Sequence, residues 1–108
     1  MNEQVKEYLD KYSDDIIAMF NDIHQILMKM KPLPEEKLWA KLPSYYVGEA
    51  YVRLIPFKDH INIEAKSIPQ FMDELCDYRV TSKGMLQIYL KDKIPYEVLR
   101  SVFNETFV

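Results

Sequence analysis

Cysteine is almost absent from this chain: Cys76 is the only one in 108 residues, so no internal disulfide can form and no cysteine-based metal motif exists. Glycine occurs only twice, at 48 and 84, which makes each a candidate for a specific backbone turn. No uninterrupted apolar run approaches the ~20 residues that a membrane span requires. No basic start followed by an apolar run marks a secretory leader, and with the lone cysteine this leads us to expect a cytoplasmic protein without a membrane anchor. Neither sign of charge dominates, since 14 basic and 17 acidic side chains give −3. Such a balance argues against a nucleic-acid partner, which would require dense phosphate neutralisation.

What is present is enough apolar material, 48% of residues, to build one core in one domain spanning residues 1–108. Residues 2–30 lack proline and glycine and place apolar side chains at helical spacing. Ser13, followed by Asp14 and Asp15, has the pattern of an N-cap with two carboxylates in the first turn, so a break is expected near Tyr12 and Ser13. The second helix then carries the stripe Ile16, Ile17, Phe20, Ile23, Ile26, Leu27 and Met30, and Pro32 and Pro34 prevent its continuation.

Beyond the prolines the period becomes alternating. Leu38, Ala40 and Leu42 predict one strand closed by Pro43, and a hairpin is expected around Gly48-Glu49. A strand over 60–65 follows the short turn Lys58-Asp59. Ser67 with Pro69 predicts a helix burying Phe71, Met72, Leu75 and Cys76; a strand over 85–90 and a last helix from Pro95 complete the chain. The expected fold is α+β, a two-layer sandwich with helices on one face of an antiparallel sheet.

The series Glu36-Lys37-Leu38-Trp39, Leu42-Pro43-Ser44-Tyr45, Gly48, Phe57-Lys58-Asp59-His60-Ile61, Ser82-Lys83-Gly84 and Ile94-Pro95 resembles, over residues 13–108, the YdhG-like family of small bacterial domains. Some members of that family are described as frataxin-like iron chaperones. The resemblance implies a frataxin-like α+β fold, transient iron binding, and partners in iron–sulfur cluster or haem assembly.

Iron, a hard cation, favours carboxylate oxygens, and Asp14, Asp15 and Asp22 crowd the second helix as candidate ligands. The competing reading is a solvated helix face on which Asp14 and Asp15 serve the cap. The histidines form no metal motif: His60 and Glu64 are four apart on a strand, roughly 13 Å at strand rise. His24 reads as an ordinary hydrogen-bonded histidine on a helix face.

The alternative to iron is a binding module. Alternation sends Trp39, Tyr51, Arg53, His60, Asn62, Glu64 and Tyr89 to the sheet face away from the helices, where rings among donors and cations suit a small ligand or a protein partner. A homodimer closing that face is the bland version of the same arrangement. Thr81-Ser82-Lys83-Gly84 reverses the order of a phosphate-binding loop and precedes a strand, so Gly84 serves the turn, and Lys83 is left as a candidate anion contact at the edge of the face. No nucleophile or metal triad is visible in the sequence, and no enzymatic activity is expected.

Overall fold

The computed structural model describes residues 1–108 and shows an α+β sandwich. Helix α1 (Glu3–Leu9) starts where the Asn2 side chain accepts a hydrogen bond from the Val5 N–H at 2.9 Å, and it buries Val5 and Leu9. Helix α2 (Asp14–Met28) begins at the expected cap: Ser13 Oγ accepts from the Ile16 N–H at 3.2 Å, and Asp14 and Asp15 occupy the first turn. The break between the two helices is thus local chemistry, readable from Ser-Asp-Asp.

Six strands form one antiparallel sheet: β1 (Glu35–Trp39), β2 (Leu42–Val47), β3 (Ala50–Pro56), β4 (His60–Ala65), β5 (Arg79–Val80) and β6 (Leu86–Tyr89), ordered β1-β2-β3-β4-β6-β5. Helix α3 (Tyr96–Phe107) closes the chain. Tyr45, Val52, Leu54, Ile61, Ile63, Leu86 and Ile88 are fully buried and join Phe20, Ile23, Leu27, Leu99, Val102 and Phe103 of the helices in one core.

Three expectations are corrected. Leu38 to Leu42 is not one strand: Trp39 pairs with Leu42, and Ala40 and Lys41 form the two-residue turn between β1 and β2, both left-handed at φ 50° and 65°. Pro43 does not end a strand; it lies inside β2 opposite Leu38. The alternation Leu38/Ala40/Leu42 runs across a hairpin tip, which periodicity alone cannot distinguish from a straight strand.

The helix expected after Ser67 is only a 3-10 turn (Ile68–Phe71) followed by further turns. Ser67 makes no cap bond; its Oγ donates to the Val102 carbonyl at 2.6 Å and tethers this segment to α3. Leu75 is buried as expected, but Cys76 is exposed and Met72 is largely so. Both glycines sit in turns, Gly48 at φ 61° in the β2–β3 hairpin and Gly84 at φ 87° before β6, where Thr81 Oγ1 accepts from the Met85 N–H at 3.1 Å.

Candidate functional site

The register places Lys37, Ser44, Arg53 and Glu64 side by side across β1 to β4 on the face turned away from the helices. Arg53 is the centre of this row and only 6% exposed. Its guanidinium carbon lies 4.0 Å from the Trp39 ring centroid and 3.8 Å from that of Tyr51. Nε donates to Ser44 Oγ, Nη1 to Glu64 Oε1 and Nη2 to Tyr46 Oη, each at 3.2 Å. Tyr51 Oη also donates to Glu64 Oε2 at 3.3 Å. Burial works against the charged guanidinium, but the bonds from Tyr46, Tyr51 and Glu64 outweigh it and hold the Arg53 pKa above its ordinary value. A planar cation with each of its three nitrogens hydrogen-bonded and two aromatic rings against it is fixed in place.

Farther along the same face His60 is stacked between Phe57 and Tyr89, with ring centroids 4.6 Å away on each side. Its Nδ1 pairs with Asp59 Oδ1 at 2.8 Å, and that bond holds the Asp59 carboxyl below the usual carboxylate range. Asn62 lies between the two aromatic groups, 8% exposed. Its amide donates to Met85 Sδ at 3.8 Å, and its Oδ1 is sealed without a partner. The seven face residues expected from alternation therefore form two clusters: Trp39, Tyr51, Arg53 and Glu64 in one, His60 and Tyr89 in the other, with Asn62 between.

Lys83 joins the first cluster through a cleft of about 580 Å³ at the end of the sheet, lined by Tyr51, Glu64, Lys66, Lys83, Gly84 and Thr106 among others. Glu64 reaches this cleft already paired with Arg53, whereas Lys66 and Lys83 have no ion-pair partner. Outside the Arg53–Glu64 pair, the charged side chains that line the cleft are Lys66 and Lys83 against Glu49.

Neither a family model nor a curated protein nor a solved structure matches this chain.

The aspartates proposed for iron are spread along α2. Asp15 and Asp22 border one shallow groove together with Asp92, while Asp14 stands outside it. No three His, Cys, Asp or Glu side chains are gathered to share an ion.

One polar group has no counterpart in the sequence reading. Glu36 and Tyr45, directly paired across β1 and β2, meet His24 of α2 beneath α1. Tyr45 Oη donates to Glu36 Oε2 at 2.8 Å, and His24 Nδ1 lies 3.1 Å from the same oxygen and 2.9 Å from Tyr45 Oη. The Asn2 N–H donates to Glu36 Oε1 at 2.7 Å, and its side-chain amide donates to the Glu36 carbonyl at 2.9 Å. Desolvation pushes the Glu36 carboxyl up, but the bonds from His24, Asn2 and Tyr45 more than offset it, so the group stays below the usual range. Burial, then the neighbouring carboxylate, drives the Tyr45 phenol well above its ordinary value. The available signal was a histidine inside an apolar helical stripe with a glutamate at an inward strand position.

Proposed function

We propose that this domain is a non-catalytic binding module, cytoplasmic, whose ligand occupies the cleft at the Tyr51–Glu64 end of the outer sheet face. One observation carries the reading: Tyr51 from β3, Glu64 from β4 and Lys83 from the turn before β6 line a single cleft beside the fixed Arg53. The ligand class follows from the lining. Lys66 and Lys83 favour a carboxylate or phosphate, and Ala50, Ala65 and Pro69 offer an apolar wall for the rest of a small molecule. Exposed Trp39 and Phe57 continue the face and suit a protein surface or a second copy seated alongside.

A panel of small mono- and dicarboxylates and phosphomonoesters, screened by amide chemical shifts, tests the reading. Shifts centred on residues 49–51, 64–66 and 83–84, lost in Lys83→Ala, support it. Absence of any localised shift across the panel rejects it.

A second reading is transient iron carriage for iron–sulfur or haem assembly, as the family resemblance implies. The observation that favours it is that Asp15, Asp22 and Asp92 border one shallow groove. An anaerobic ferrous titration with magnesium as competitor discriminates it: saturable binding that Asp15→Asn and Asp22→Asn abolish supports it, and equal heats with magnesium reject it.

A further inference from the structure

We propose that a second site, the cleft between α1 and α2, binds a free zwitterionic α-amino acid with a small aliphatic side chain. Tyr45 Oη spends its single proton on Glu36 Oε2, so the two atoms facing His24 Nδ1 are both acceptors, and Nδ1 must be the protonated nitrogen. In the neutral ring Nε2 then carries a lone pair. His24 is 3% exposed, and Nε2 bonds to no protein atom; since Asn62 Oδ1 is the one sealed side-chain polar atom without a partner, Nε2 is not sealed. The opening beside it is a cleft of about 540 Å³ that His24 lines.

The other lining residues match an amino acid group by group. Lys6 and Asp10 stand four apart on α1 and its C-cap, roughly 5–6 Å between Cβ atoms when both lie on one helical face. They form no ion pair with each other or with any other residue. A lysine placed N-terminal to its acid is the less favourable order for such a pair, which leaves both charges available. A zwitterion presents an ammonium and a carboxylate on one carbon and satisfies both: the ammonium donates to Asp10 and to His24 Nε2, and the carboxylate meets Lys6. Asn21 and Gln25 border the cleft as carboxamides, able to donate to one end of the zwitterion and accept from the other. Leu9, Ile17 and Met1 supply apolar wall for an aliphatic side chain.

Glu36 positions this site without touching the ligand. Its carboxylate fixes the His24 tautomer and holds Asn2 at the start of α1, so ligand capture and docking of α1 share one hydrogen-bond network. The site lies on the helical layer and shares no lining residue with the sheet-end cleft, so the two proposals stand or fall separately.

The test uses three probes that differ only in charged groups: L-leucine, 3-methylbutylamine and 4-methylpentanoate, titrated into the full chain and followed by amide and His24 imidazole shifts. L-leucine is expected to shift residues 6–10 and 21–25 and to bind at least about tenfold more tightly than either singly charged probe. Lys6→Ala and Asp10→Asn, both at exposed positions, should each weaken L-leucine by a similar factor while leaving the fold intact. Equal affinity for all three probes, binding indifferent to both variants, or no localised shift up to the solubility limit of L-leucine overturns the proposal.

Discussion

Arg53 and Glu64 face one another as directly paired residues of β3 and β4, with Nη1 3.2 Å from Oε1, and the guanidinium is held at the same time between the rings of Trp39 and Tyr51. The pair is nearly dry on the arginine side. A flat, delocalised cation can stack and bond at once because its donors radiate in the plane that the rings leave free.

Lysine cannot reproduce that arrangement. Arg53→Lys keeps the charge but loses two stacked faces and at least two hydrogen bonds, which predicts a loss of about 2 kcal/mol in stability. Urea denaturation measures it, and a change below about 0.5 kcal/mol would show that the cage is decorative.

Acid sensitivity should come from Glu36. A carboxyl held below its ordinary value contributes stability that is fully present above the unfolded value of about 4.3 and is lost as pH falls through the lower folded value. Glu36→Gln removes this contribution and leaves Tyr45 and His24 with a weaker partner, at a cost of about 1–3 kcal/mol near neutrality. Measured between pH 7 and pH 2, the stability of the variant should fall less steeply than that of the parent at the acid end; parallel curves would contradict the assignment.

The turn Ala40-Lys41 holds two non-glycine residues in the left-handed region. Lys41→Gly should stabilise the protein by about 0.5–1 kcal/mol, because relief of the side-chain strain outweighs the added freedom of the unfolded chain. A shift of the urea midpoint to lower concentration would mean that Lys41 makes a contact that outweighs the strain.

Cys76 is exposed, in a segment of turns that holds one helix-type bond, from the Leu75 N–H to the Phe71 carbonyl at 3.0 Å. Ellman's reagent should therefore modify it in the native state at close to the rate for a free thiol. A rate limited by unfolding would place the side chain in the core after all.

Much of the architecture is local and so was written in the sequence. Ser13-Asp14-Asp15 sets the start of α2 because a hydroxyl satisfies an orphan N–H wherever the helix packs, and period-two alternation assigns Val52, Leu54, Ile61 and Ile63 to the core because successive strand residues must point opposite ways. The same alternation identified Trp39, Tyr51, Arg53 and Glu64, and the Ser82-Lys83-Gly84 turn identified Lys83, but not that the first four crowd one cage and that Lys83 shares a cleft with two of them. Alternation failed at Ala40-Lys41, where the turn lacks the glycine or asparagine that announces one, and helical spacing failed at Cys76, where it covers turns held to the domain by Ser67 and α3. His24, Glu36 and Tyr45 are the clearest division between the two levels. The residues are plain in the sequence, but their shared proton network exists only because the fold brings His24 of α2 to Glu36 of β1 and Tyr45 of β2, and hydrogen bonds between residues 9 and 21 positions apart leave no period in the chain.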